Sequence, residues 1–167
     1  MIKPLITGLV LCSTLIFNQV QATENDDPVS IDWIKPEKFR DVDSANSNKK
    51  RYRARVIKDL ESYMQQQLPK FLNTGESITL KIYDLDLAGD IRPMMGAGND
   101  IRVVKSIYPP MIDIEYALVD QQGKVIKGQR KRFRDIAFNM GSPMTSSKSL
   151  GYEKAMLKKW MRNELTH

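Results

Sequence analysis

Ile78-Thr79-Leu80-Lys81-Ile82-Tyr83-Asp84-Leu85-Asp86-Leu87-Ala88-Gly89-Asp90 is the stretch whose reading decides the fold. Ile78, Leu80 and Ile82 alternate with Thr79, Lys81 and Tyr83, the period of a strand with one buried face. Continued without interruption, that alternation carries Asp84 and Asp86 onto the apolar face, where unpaired carboxylates are costly. Two arrangements relieve the conflict. A bulge near Tyr83 turns Leu85 and Leu87 inward and the aspartates to water. Alternatively, the aspartates lie at the end of the sheet and are matched by Arg92, Arg102 or Arg134, because a guanidinium can grip a carboxylate through two hydrogen bonds. The arginine-matched arrangement is the expectation, with the pair anchoring the loop that follows.

Upstream of this stretch, Val29, Ile31 and Trp33 alternate with Ser30, Asp32 and Ile34, giving a first strand that Pro36 ends. From Lys49 to Leu72 the apolar residues Tyr52, Val56, Leu60, Tyr63, Met64, Leu68 and Phe71 form one helical stripe. Ser47 is placed to cap that helix, Pro69 to tighten its last turn, and Asn73-Thr74-Gly75 to stop it.

Downstream, Gly89 to Asp100 holds Pro93, Gly96 and Gly98 and reads as a long mobile loop. Ile101 to Ile107 is a third strand closed by Pro109-Pro110, and Ile112, Ile114, Tyr116 and Leu118 mark a fourth. A turn at Asp120-Gln121-Gln122-Gly123 leads into a fifth, Lys124 to Ile136. Its cations Lys124, Lys127, Arg130, Lys131, Arg132 and Arg134 mark an exposed edge, where charge blocks pairing with another chain. A last helix, Leu150 to Asn163, buries Tyr152, Met156, Leu157 and Trp160, with Ser147 or Ser149 as its cap. The expected fold is α+β: a mostly antiparallel sheet of about five strands with two helices packed on one face, in the order β-α-β-β-β-α. Phe-Arg-Asp occurs at Phe39–Asp41 and again at Phe133–Asp135, and reads as coincidence.

The N-terminus carries Lys3, an apolar run from Leu5 to Phe17, and small residues at Val20 and Ala22. That is the pattern of a signal peptide, residues 1–22, cleaved after Ala22. It leaves a flexible tail at 23–28 and a single domain at 29–167, addressed to the periplasm with no transmembrane segment after cleavage. Leu11 before Cys12 argues against lipidation, and Cys12, the chain's single cysteine, departs with the signal. The net charge of +6 would suit nucleic acid, but export argues against that partner. An envelope protein or an anionic lipid surface is the expected counterpart.

Trp33, Pro36, Phe39-Arg40-Asp41, Asp84-Leu85-Asp86-Leu87-Ala88-Gly89, Ile101-Arg102-Val103, Tyr108-Pro109-Pro110 and Tyr152-Glu153-Lys154 ahead of Trp160 together resemble the bacterial domain-of-unknown-function family 3016. The resemblance implies an exported protein of Gram-negative bacteria and supplies no activity.

The chemistry open to the chain is narrow. The single histidine is His167, the last residue, so an oriented Ser-His-Asp triad is not expected. Without cysteine or an internal histidine there is no Cys/His zinc site and no histidine-ligated haem. Gly96-Ala97-Gly98 is not a phosphate loop. No cofactor is expected. Carboxylates remain. Asp84, Asp86 and Asp90 only partly match a calcium loop, since Ala88 and Met95 stand where ligands belong. They are at most weak metal candidates. Tyr108 reads as part of a strand terminator, or as a side chain presented to a partner. The leading reading is a periplasmic binding or accessory module without catalysis. It would act through the Gly89–Asp100 loop and the basic strand, with Asp84, Asp86, Asp90, Arg92, Arg102, Tyr108, Arg130, Arg132 and Arg134 as binding candidates. The alternative is a carboxylate-dependent hydrolase or a divalent-cation-binding protein using Asp84 and Asp86. A third is an inhibitor that inserts Met94-Met95 into a partner's cleft.

Overall fold

A computed structural model describes residues 27–42, 48–93, 100–140 and 149–166. The signal segment 1–22, most of the 23–28 tail, Ser47, Ser147, Met94-Met95 and His167 lie outside the described residues.

The chain runs β1 (Val29–Trp33), α1 (Lys49–Gln67), β2 (Ser77–Asp86), β3 (Asp90–Pro93), β4 (Asp100–Val103), β5 (Met111–Val119), β6 (Val125–Arg134) and α2 (Gly151–Leu165). The main sheet has four strands in the order β1-β2-β5-β6; β3 and β4 form a separate two-stranded ribbon. β1 lies parallel to β2, Val29 beside Ile78, after the α1 crossover. The β2–β5 and β5–β6 pairs are antiparallel. The fold is α+β, and the main-sheet elements follow the expected β-α-β-β-β-α order. The count of about five strands is corrected to four plus the ribbon: Ile101–Ile107 does not join the sheet, and only Asp100–Val103 is strand.

Gly89 explains the ribbon. Its φ of +86° lies in the left-handed region, and a Cβ there would stand 2.6 Å from the Val103 carbonyl oxygen. Only glycine fits without strain. The chain thus leaves β2 sharply and returns against itself, while the Gly89 N–H donates to the Tyr108 carbonyl at 3.0 Å. Residues 90–93, expected in a mobile loop, are strand.

α1 is capped by Asn48, whose Oδ1 accepts from the Arg51 N–H at 3.1 Å. Pro69 tightens the end into a 3₁₀ turn at Leu68–Phe71. Ser149 does not cap α2: its hydroxyl donates to Asp59 at 3.2 Å, and the capping position falls to Leu150.

Both helices cover one face of the sheet. Val56, Leu60 and Met64 of α1 and Met156, Leu157, Trp160 and Met161 of α2 join Ile78, Leu80, Ile82, Ile114, Tyr116 and Leu118 in one core. Tyr116 meets Trp160 edge to face at 5.6 Å, a favoured aromatic geometry. Leu85 and Leu87 belong to the same core. The reason is a bulge: Ile82 pairs with Ile114, but Asp84, not Tyr83, pairs with Asp113. The extra residue flips the phase, so the leucines enter the core and the aspartates leave it. The structure therefore adopts the bulge rather than the preferred arrangement, though arginine still matches the aspartates: Arg40 pairs with Asp84, and Arg134 acts on Asp86 through space.

β6 is an edge strand, as its cations implied. Glu164 of α2 binds it from below. The buried Glu164 carboxylate accepts from Lys131 Nζ, from Gln129 Nε2 at 2.7 Å and from the Tyr116 hydroxyl at 3.3 Å. The Lys131 hydrogen bond holds its pKa below the ordinary glutamate value. A depressed folded pKa adds stability above the unfolded pKa that is lost as pH falls through the folded one.

Two outcomes test this architecture. Gly89→Ala should lower unfolding free energy by about 1–3 kcal/mol in denaturant titration; a neutral result contradicts the tight turn. Glu164→Gln should destabilise by about 1–3 kcal/mol at neutral pH. In thermal unfolding, the gap from the parent protein should close as pH falls below the ordinary glutamate range; a pH-independent gap contradicts the ion pair.

Candidate functional site

The bulge places Asp84 and Asp86 on the side of β2 away from the helices. Strand partners share a face, so Asp84, Asp113 and Arg132 stand in one row and Asp86, Met111 and Arg134 in the next. Above them runs the row of Lys81, Glu115 and Arg130. The face is layered: carboxylates beneath, guanidiniums above. Asp113 is buried and takes hydrogen bonds from Arg130 Nε at 3.0 Å and Arg132 Nη2 at 3.2 Å. The Arg130 bond, first, holds the Asp113 carboxyl below the ordinary aspartate value. Arg130 also lies 3.7 Å from the Tyr83 ring centre, a cation–π contact. The Tyr83 hydroxyl donates to Glu115 at 2.9 Å.

Asp84 is fully engaged. Its Oδ1 accepts from the Arg40 N–H at 3.1 Å and the Leu85 N–H at 3.0 Å, and Arg40 Nε lies 3.2 Å from Oδ2. Its arginine is thus Arg40, which the sequence analysis did not name as a partner of Asp84. Asp86 is half-buried and accepts no hydrogen bond among the described residues. Burial pushes its pKa up, Arg134 opposes the rise and Asp84 adds to it.

Asp86 opens into a cleft of about 350 Å³ lined by Arg40, Asp41, Asp86, Asp90, Tyr108 and Arg134, with Gly89, Ile107 and Pro109. The structure brings four of the sequence-named candidates into it: Asp86, Asp90, Tyr108 and Arg134. Arg92 is drawn to Asp90 at 3.2 Å. Among the described residues Arg102 forms no hydrogen bond to the aspartates, though its charge acts on Asp86 through space; it serves as a brace. Its Nη1 donates to the Ala88 carbonyl at 2.8 Å and Nη2 to the Tyr52 hydroxyl at 2.6 Å. The Ala88 N–H donates to buried Glu153 at 2.8 Å. The Ala88 N–H is thereby tied to α2, and its carbonyl, through Arg102, to Tyr52 of α1, beside the cleft residue Gly89. Arg130 and Arg132 belong to the Asp113 cluster.

Arg40 and Asp41 were missed as site residues, yet the signal was there. The two Phe-Arg-Asp phrases, read as coincidence, converge: Arg40 and Asp41 from the first and Arg134 from the second line one cleft. In each phrase the phenylalanine packs toward the core and the arginine turns out. Asp135 of the second is taken by Lys159 at 2.9 Å.

Among the described residues, no group of three or more His, Cys, Asp or Glu side chains is placed to hold a metal ion. Of Asp84, Asp86 and Asp90, the first and last already hold arginines.

The chain matches the family described as protein of unknown function, DUF3016, over residues 27–163, and belongs to that family. No curated protein and no solved structure matches it.

Asp86 gives a signed test. A raised folded pKa means that stability falls as pH rises through the interval between the unfolded and folded values. Asp86→Asn removes that penalty. Its melting temperature at neutral pH should equal or exceed the parent's, with the difference vanishing at pH below the ordinary aspartate range. Marked destabilisation at neutral pH would contradict the description of Asp86 as unsatisfied.

Proposed function

We propose that this protein is an exported, non-catalytic binding or accessory module of the cell envelope. It seats a polar segment of a partner protein in the cleft at the end of β2. One observation carries the reading. Arg134, exposed and without an ion pair among the described residues, stands across the cleft from Asp86, whose carboxylate has no hydrogen bond there. A solvent-accessible donor and a solvent-accessible acceptor, neither held by a protein partner among the described residues, are groups that a polar ligand in one concavity can engage. Tyr108, 39% exposed, and Ile107, 73% exposed, add an aromatic and an aliphatic surface at the rim, the residue types that anchor protein contacts.

The hydrolase reading has less support. Glycoside cleavage and its relatives need two cooperating carboxylates, and Asp84 is committed to Arg40 and to backbone N–H groups. Export rests on Lys3, the Leu5–Phe17 run and the Val20/Ala22 pattern. Among the described residues no helix is long and apolar enough to cross a membrane.

Two measurements test the proposal. Fractionation of a Gram-negative host expressing the full chain, followed by intact mass, should find it in the periplasm beginning at Thr23. Cytosolic material beginning at Met1 would overturn export. A photo-crosslinking residue at position 108 should capture a discrete envelope protein, and Arg134→Glu should cut the yield at least tenfold while Arg55→Glu on α1 leaves it unchanged. Capture indifferent to Arg134 would overturn the role of the cleft.

A further inference from the structure

We infer that β6 is a strand-addition site, and that its occupant is an extended acidic segment of a partner protein. The inference rests on the reading of the chain as a binding module and specifies a second means by which the partner is held. β6 spans Val125–Arg134, pairs with β5 on one side only, and is exposed at every position but Phe133. On its outer side the backbone N–H and C=O groups of alternate residues meet no strand among the described residues. A ten-residue edge of this kind is a template for another chain.

Charge selects the occupant. Val125–Arg134 contains Lys127, Arg130, Lys131, Arg132 and Arg134 and no acidic residue. Two carboxylates, Asp113 and Glu164, bind cations of this strand, so three of its five positive charges stay in surplus. Arg130, Arg132 and Arg134 repeat at every second position on the open face, where an added strand would place its own alternate side chains. Opposite charges paired across strands are stabilising and like charges are not. A second copy of β6 would set lysine and arginine against lysine and arginine, which excludes the obvious homodimer. A peptide with carboxylates at alternate positions meets the row without conflict.

Two restraints pre-form the row. Asp113 fixes Arg130 and Arg132 from beneath, and the Tyr83 ring carries the Arg130 guanidinium at 3.7 Å. On the helix side Glu164 holds Lys131 by its carboxylate and Lys127 by its main-chain oxygen. Side chains already ordered lose less entropy when a partner arrives.

The test uses the full chain labelled with ¹⁵N and two end-blocked eight-residue peptides, one alternating Glu with Thr and one alternating Lys with Thr. The Glu-Thr peptide should shift backbone amide signals concentrated in 125–134 and slow amide exchange there. Its affinity should fall at least tenfold between low and physiological salt. Arg134→Glu, which breaks no ion pair, should weaken it at least fivefold, and the Lys-Thr peptide should do nothing. Equal binding of both peptides, or shifts confined to Arg40, Asp86, Gly89 and Tyr108, would overturn strand addition while leaving the cleft reading in place. Anionic phosphatidylglycerol vesicles protecting the β6 amides where the peptide does not would overturn it in favour of a lipid surface. Failure of the Tyr108 crosslink with successful peptide binding would remove the cleft and keep the edge.

Discussion

One extra residue in β2 sets the arrangement of the rest. Tyr83 is bulged out of the pairing with β5, and every side chain after it changes face. Without that insertion two carboxylates would enter an apolar core at a cost of several kcal/mol each. With it, Leu85 and Leu87 enter instead, each worth about 1.5–3 kcal/mol of burial. The lost ladder bond at the bulge is small beside that difference. The same flip carries Asp84 to Arg40 and Asp86 to the cleft, so the packing of the core and the chemistry of the surface follow from one displacement.

The face that results is held by electrostatics in layers. Asp113 lies under Arg130 and Arg132, Asp84 beside Arg40, and Glu164 on the opposite side under Lys131. Much of the basic charge that composition reports is used internally, which is why net charge alone is a poor guide to the partner. At the cleft, Arg134 and Asp86 stay without an ion pair or a side-chain hydrogen bond among the described residues. Gly89 and Arg102 bind this region to the core. The first permits the sharp exit from β2, and the second ties the Ala88 carbonyl to Tyr52 on α1.

Periodicity revealed the helices and the strands β1, β2 and β5, because each buries one face against a common core and repeats its apolar residues accordingly; the edge position of β6 was legible in its cations instead. Periodicity offered a bulge near Tyr83 as one of two arrangements and did not decide between them. A bulge leaves no period of its own, and Ile82-Tyr83-Asp84 reads equally well as continuous strand. The β3–β4 ribbon was hidden for a related reason: its strands of four residues each are too short for a pattern, and Gly89, whose conformation creates the ribbon, looks like any loop glycine. Of the cleft, Asp86, Asp90, Tyr108 and Arg134 were legible as charged or aromatic residues beside turns. Arg40 and Asp41 were not, since their relation to Asp84 and Asp86 spans more than forty residues and depends on how the chain leaves β1. The repeated Phe-Arg-Asp phrase was the available clue.

The register between β2 and β5 is the most direct test of this account. Cross-strand proton contacts measured by NMR should place Asp84 opposite Asp113 and Leu85 opposite Ile112, with Tyr83 opposite no residue. Contacts that place Tyr83 opposite Asp113 and Asp84 opposite Ile112 would mean an uninterrupted strand with its aspartates turned toward the core, and the cleft as described would not exist.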